Sequence, residues 1–187
     1  MPNPFLPREL VHEWSEEIGA QGPEHRTALN RVLKDQRRLT RFLEENREDL
    51  EPATAGVTVY LFGVLARIYD LAGGRLKSAT WQQVREAARR VRAVAPELLP
   101  ADEGFPERVR AIEWRAQPHI LDEALMSLFE RETTQEQEVD LDPNESAKVF
   151  LLMWVANEVL DQNWTPPHSF QGETSYSHVP IQPTEEA

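Results

Sequence analysis

The sequence predicts an all-α protein, a single-domain bundle of six or seven helices around two strongly apolar central helices. Residues that favour helices, such as Glu, Arg, Ala and Leu, are abundant, whereas the 187 residues include only 8 Gly. The 14 Pro fall mostly between segments whose apolar residues recur every three or four positions. Residues 53–71 and 149–160 are apolar on nearly all sides, as expected of helices with neighbours all around them.

Two amphipathic helices are predicted in the N-terminal part of the chain. The first covers residues 7–18, because Pro suits the first helical position and the apolar residues of this segment share one face. The second covers residues 23–49, where an apolar side and a basic side are clearly separated.

The first strongly apolar segment predicts a helix over residues 53–71, ended by the two glycines that follow it. Gly56 and Gly63 lie on one face of this helix, where the missing side chains would let a neighbouring helix approach closely. A strand over residues 57–62 is the alternative, since they are rich in β-branched and aromatic residues. The helical spacing of the apolar residues beyond them favours the helix.

A capping box predicts where the next helix starts, because Thr80 is a good N-cap residue and Gln83 follows three positions later. Pro96 is predicted to end that helix. Another helix is predicted to open at Pro106 and to reach Pro118, which kinks it or begins a new one.

The last helix is predicted to be central, since residues 149–156 are eight consecutive apolar residues. Asn144 or Ser146 is the expected cap. The polar, acidic residues 132–143 before it predict a loop.

The predicted domain organisation is a helical bundle over residues 1–164 and an extended or disordered tail over 165–187. The tail holds four prolines and many Ser, Thr and Gln residues, a composition that disfavours a packed core. Within the tail, Tyr176, Val179 and Ile181 form an apolar group that suits docking on the bundle or on a partner.

Charge is distributed unevenly along the chain. The net charge of −12 argues against general nucleic-acid binding. Residues 26–41 and 75–92 nevertheless carry six basic residues and one acidic residue each, whereas residues 130–187 carry twelve acidic and two basic residues. The acidic segment is therefore also a possible occupant of the chain's own basic stretches.

Several classes of protein are disfavoured. With 0 Cys, the chain has no disulfide, zinc–thiolate or cysteine-nucleophile chemistry. The first residues do not resemble a signal peptide. The uncharged residues 53–66 are fewer than the roughly 20 that a membrane-spanning helix needs. We therefore expect a cytoplasmic protein without membrane contact.

Catalytic motifs are weak. Glu9 and His12, with Glu16 one turn further on, have the Glu-x-x-His spacing of bundle metal sites, and His119 precedes Asp122 and Glu123 at helical spacing. The second group lacks the required Glu, because Ala116 occupies its position. Gly-x-Ser-x-Gly and phosphate-loop motifs are absent from the sequence. No metal or other cofactor is predicted, and these five residues (Glu9, His12, Glu16, His119 and Glu123) are only weak metal candidates.

Partner contacts are predicted for two basic stripes and one aromatic residue. The first stripe lies opposite the apolar side of its helix, so a solvent-exposed face without a partner is the alternative interpretation. Trp164 lies where the last helix meets the tail, which suits an anchor for a partner, and the alternative is a core residue. The predicted partner-binding residues are Arg31, Lys34, Arg38, Arg41, Arg85, Arg89, Arg92 and Trp164.

These patterns favour a non-catalytic helical interaction or regulatory module that binds another protein or itself. The alternatives are a carboxylate/His metal-dependent bundle enzyme and a nucleic-acid-associated adaptor that uses the basic helix faces. Base stacking has no support in the second alternative, because no aromatic residues alternate with the basic ones.

Overall fold

The computed structural model describes residues 2–130 and 141–181, and it confirms the all-α class. These residues form eight α-helices, rather than the six or seven predicted, and one sheet of two short strands. The helices are α1 (Arg8–Ala20), α2 (Pro23–Asp35), α3 (Arg37–Arg47), α4 (Pro52–Ala72), α5 (Trp81–Leu98), α6 (Phe105–Arg110), α7 (Pro118–Leu125) and α8 (Pro143–Asn163). A π-helical turn, Met126–Glu130, continues α7.

The long helix predicted over residues 23–49 is wrong, because the backbone leaves the helical conformation at Gln36, with φ −104° and ψ 45°. The buried side chain of Gln36 donates to the Lys77 carbonyl and accepts from the Ala79 N–H, both at 3.0 Å. These bonds hold the start of α3 against the segment that leads into α5. The break thus satisfies backbone groups that lie far away in the sequence.

The capping box of α5 is confirmed. The Thr80 hydroxyl accepts from the Gln83 N–H at 3.2 Å, and the Gln83 side chain accepts from the Thr80 N–H at 2.9 Å. The prediction that Pro96 ends this helix is wrong, since α5 continues to Leu98. Proline removes only its own N–H donor, and one lost bond in the last turn is tolerated.

The caps and ends of the C-terminal helices also differ from the prediction. Asp142, rather than Asn144 or Ser146, caps α8 and accepts backbone N–H groups at 2.9 and 3.1 Å. The helix that starts near Pro106 ends at Arg110 instead of reaching Pro118. There the buried Arg115 guanidinium donates to the Arg110 carbonyl at 3.0 Å and so satisfies a free acceptor at the helix end.

Residues 57–62 lie inside α4, so the strand alternative is wrong. Gly63 is in close contact, since a Cβ atom there would lie 2.7 Å from Leu29 Cδ1, whereas Gly56 has nothing within 4 Å of that position. By length and composition α4 is also able to cross a membrane, and 50% of its apolar window is buried inside the chain. Helix α4 is longer than the uncharged segment 53–66, because the helix continues past Arg67 to Ala72.

The C-terminal helix α8 packs against α4, α5 and α7. Its Phe150, Met153 and Trp154 are fully buried, and Phe62, Leu65 and Ile68 of α4 are nearly so. Burial of side chains this large supplies most of the hydrophobic stabilisation of a domain.

The first and last described segments of the chain both contact this bundle. Strand β1 (Arg75–Leu76) pairs antiparallel with β2 (Trp164–Thr165), and Phe5 forms an isolated antiparallel bridge with Glu173. Beyond β2 the described part of the tail, through residue 181, has no regular secondary structure apart from a turn at residues 168–169 and the bridge at Glu173, and Val179 is 50% exposed. The domain boundary at 164/165 stays a prediction. Most of the predicted loop 132–143 and the tail residues 182–187 lie outside the described residues.

Candidate functional site

Half of the first predicted basic stripe, Arg38 and Arg41, lies on α3, and the second stripe lies on the neighbouring helix α5. Helices α3 and α5 pack side by side, and Arg38 Nη1 donates to the Ala79 carbonyl at 3.1 Å, just before α5 begins. On the other flank of α5, Glu86 and Arg90 line a cleft shared with α8. Arg85 and Arg92 do not line that cleft.

We define the cationic face as the exposed basic residues of the two predicted stripes that lie on these two helices. Its members are Arg38, Arg41, Arg85, Arg89 and Arg92. Arg41 pairs with Glu45 at 2.8 Å, and both side chains are exposed. The other four form no ion pair with any carboxylate in residues 2–130 and 141–181. The face thus presents positive charge that the described part of the chain does not neutralise.

The two α2 residues of the first stripe are placed differently. Arg31 pairs with Asp70 of α4 at 2.7 Å, so its charge faces α4 rather than α5. Lys34 is exposed near the end of α2. Of the two, only Lys34 lies close to the junction with α3.

Trp164 is engaged within the chain. Its side chain is only 3% exposed, and its indole N–H donates to the Gly73 carbonyl at 2.9 Å. The ring packs edge-to-face on Tyr69 and Phe170, with centroids 5.5 and 5.4 Å away. Little of the ring is left for a partner.

The weak metal candidates fall in different surroundings. Glu9 and Glu16 are exposed on α1. His12 Nδ1 lies 2.9 Å from Glu123 Oε1, and Glu123 also forms a buried ion pair with Arg8. Within the described ranges, no group of three or more His, Asp or Glu side chains has a geometry that could hold a metal ion.

His119, the remaining candidate, belongs to a buried group of charged and polar side chains on and around α7 that was not predicted. We call it the α7 cluster; its members are Arg110, Arg115, His119, Asp122 and Tyr176. Each side chain of the group except Tyr176 is at most 6% exposed. Buried charged groups of this kind are costly unless paired, which makes the cluster a candidate functional feature.

Asp122 is the centre of the α7 cluster. The Tyr176 hydroxyl donates to its two carboxylate oxygens, at 3.1 and 2.9 Å. Nitrogen atoms of Arg110, Arg115 and His119 lie 3.5, 3.8 and 3.8 Å from the carboxylate. One buried carboxylate thus faces several positive or polar groups.

These surroundings shift the pKa of both Asp122 and Tyr176. Burial alone would raise the pKa of Asp122, but His119 and Tyr176, and then the guanidinium groups, lower it more. The net pKa of Asp122 therefore lies below its ordinary value. Burial, and next the charge of Asp122, raise the pKa of Tyr176, so its hydroxyl keeps the proton that it donates.

A signal for the α7 cluster was present in the sequence, but it was incomplete. His119, Asp122 and Glu123 are three polar residues in an otherwise apolar eight-residue helix. All three are buried, which is unusual for charged residues without partners. Arg110 and Arg115 come from the segment just before α7, whereas Arg8, Glu173 and Tyr176 come from distant segments, and the spacing along α7 identifies none of them.

A polar cleft of about 450 Å³ lies between α5, α8 and the N-terminal segment. Glu158 and Asp161 of α8 line it, and burial raises the pKa of each. Both carboxylates already bond the chain itself, since Glu158 accepts from the Ala116 N–H at 2.7 Å and Asp161 from the Gln117 amide at 2.9 Å. The cleft is therefore largely explained by its role in positioning the segment before α7.

A scan of protein-family models and searches of curated proteins and of solved structures found no match to this chain.

Proposed function

We propose that this chain is a non-catalytic helical interaction module that binds an acidic segment of another protein, or of a second copy of itself, through the cationic face. The observation that supports it is the packing of α3, which carries Arg38 and Arg41, beside α5, which carries the second basic stripe. Arg38, Arg85 and Arg92 are exposed there and have no carboxylate partner among the described residues.

Charge complementarity supports an acidic partner. The chain carries 32 acidic and 20 basic residues, so a surface that collects basic side chains is opposite in sign to the chain as a whole. Such a surface accelerates association with negatively charged partners and repels positively charged ones. Arginine also binds carboxylates with two parallel hydrogen bonds, which adds specificity to the attraction.

The metal-dependent enzyme has less support than the interaction module. A carboxylate/His site requires several ligands around one point, and the described residues contain no such group. The weak candidates lie apart, with Glu9 and Glu16 exposed and His12 bonded to Glu123.

Binding of a labelled poly-glutamate peptide, measured by fluorescence anisotropy, tests the proposal. The double variant Arg85→Glu/Arg89→Glu is expected to weaken binding by about tenfold or more, since it reverses charge on the proposed surface. Binding is also expected to weaken as salt is added.

The matched control is Arg26→Glu/Arg75→Glu, which makes the same change in net charge at exposed positions outside the cationic face. It should bind the peptide nearly as well as the original chain. If both double variants lost the same amount of affinity for the peptide, the loss would depend on net charge alone, and the proposal would be overturned. Tighter binding of duplex DNA than of the peptide would favour the nucleic-acid adaptor instead.

A further inference from the structure

We propose that α7 and residues 4–6 form a binding site for an extended peptide with the pattern Gly-Glu-x-x-Tyr, and that residues 170–178 of the tail occupy this site within the chain. The site lies apart from the cationic face and is defined by the backbone bridge to Phe5 and by the α7 cluster. It would equally accept such a segment from another protein.

Backbone pairing sets the direction of the bound segment. Phe5 and Glu173 exchange two N–H···O hydrogen bonds, both 2.8 Å long, in antiparallel orientation. This arrangement is strand addition, in which an extended peptide pairs with a free backbone edge. Main-chain bonds of this kind supply affinity without regard to the peptide's sequence.

Three side-chain positions supply specificity. A Cβ atom at Gly172 would lie 2.7 Å from the Phe5 carbonyl, so the position before the Glu requires glycine. The Glu173 carboxylate lies 3.0 Å from His119 Nε2. The Tyr176 ring lies under the Arg115 guanidinium at 4.6 Å, while its hydroxyl reaches Asp122.

The receiving side chains belong to the bundle, whereas the peptide segment is held by few contacts. His119, Asp122 and Arg115 are at most 3% exposed, but residues 173–175 are exposed and have no regular structure beyond the bridge. Regions with so few buried contacts open at low free-energy cost. The tail is therefore able to exchange with a competing segment.

The site also has binding capacity that the tail leaves unused. Arg110 Nε, Arg115 Nη1 and His119 Nδ1 are buried without a hydrogen-bond partner in the described part of the chain. All three point to the carboxylate of Asp122 at distances too long for a hydrogen bond. A ligand with further acceptor groups beside its Tyr would satisfy them.

The test uses the full chain and a labelled synthetic peptide with the sequence of residues 170–181. In the variant Glu173→Ala/Tyr176→Ala the tail loses the contacts with His119 and with Asp122 that these two side chains make. Among the polar contacts of the described residues at this site, only the His178–Asp122 contact at 3.7 Å and the backbone bridge to Phe5 remain, so we expect the tail to leave the site. The peptide is expected to bind this variant at least about tenfold more tightly than the original chain, where the attached tail competes at high effective concentration. Fluorescence anisotropy measures the affinity, and circular dichroism checks that the variant is folded.

Controls distinguish binding of the peptide at this site from non-specific binding. Thr174→Ala/Ser175→Ala changes the exposed residues between the two contacts and should bind the peptide as weakly as the original chain. A peptide with both the Glu and the Tyr replaced by Ala should not bind the released variant. Gly172→Ala releases the tail by a different route, the clash with Phe5, and should give the same gain. Equal affinity of the original chain and both released variants, or binding of the substituted peptide, would overturn the proposal.

Discussion

The hydroxyl group of Tyr176 lies 2.9 and 3.1 Å from the two carboxylate oxygens of Asp122, to which it donates. Asp122 belongs to a fully buried helix and Tyr176 to the tail. The contact joins the end of the chain to the ionic centre of the bundle.

The first prediction concerns this bond. Tyr176→Phe keeps the ring over Arg115 but removes the hydroxyl, so the buried Asp122 carboxylate loses a hydrogen-bond donor. We expect the free energy of unfolding in urea to fall by about 1–2 kcal/mol. The control Tyr60→Phe removes a hydroxyl from a side chain that is 46% exposed and should change stability by less than about 0.5 kcal/mol. Equal effects would show that the Asp122 contact contributes nothing.

Gln117 provides a second prediction. It is the only residue other than glycine with positive φ among the described residues, at 38°, and its buried side chain bonds Leu6 N and the Pro4 carbonyl at 2.8 and 2.9 Å. Gln117→Ala loses these bonds and keeps the backbone strain, whereas Gln117→Gly loses the bonds and relieves the strain. We expect the Gly variant to be about 1 kcal/mol more stable than the Ala variant in urea denaturation. If Gln117→Ala were more stable than Gln117→Gly, backbone strain at residue 117 would be excluded.

The two α4 glycines form a matched pair. Gly56→Ala adds a methyl group in open space and should stabilise the protein by about 0.5–1 kcal/mol, because alanine has the higher helix propensity. Gly63→Ala places the same group 2.7 Å from Leu29 Cδ1, so we expect it to be about 1 kcal/mol or more less stable than Gly56→Ala. Thermal unfolding of both variants measures the difference. Equal melting temperatures would contradict the close approach of α2 to α4.

A pH dependence is expected from His25. Burial, and next the charge of Arg67, lower the pKa of His25 below 6.5, so the folded protein favours the neutral ring. The unfolded chain then binds the proton more readily, and the stabilisation is complete above pH 6.5 and is lost as the pH falls below it. We expect the original chain to lose more stability between pH 7.5 and pH 5.5 than His25→Gln does. The exposed His168→Gln serves as control and should keep the original pH dependence.

Local features of the fold were predictable from the sequence. The α5 capping box and the helical character of α4 depend on residues within a few positions of one another. The break at Gln36 was not predictable in this way, because its partners Lys77 and Ala79 lie 41 and 43 positions away. Because the amphipathic pattern continues across Gln36, the sequence alone predicts a single helix.

The same distinction applies to the sites. The basic stripes were identified because their residues recur at helical spacing, although the first stripe is divided between α2 and α3 at Gln36. The contact between α3 and α5 joins distant parts of the chain and is not visible in that spacing. The α7 cluster depends on Tyr176, 54 positions after Asp122, and no local spacing reveals that contact.

The interaction proposal is tested most directly by the side-chain Nε–Hε signals of the arginines, recorded by NMR while poly-glutamate peptide is titrated into the full chain. The account predicts that the signals of Arg85, Arg89 and Arg92 shift first and in parallel, while the signal of Arg26 hardly moves. Binding of the peptide with unchanged signals from those three arginines would contradict it.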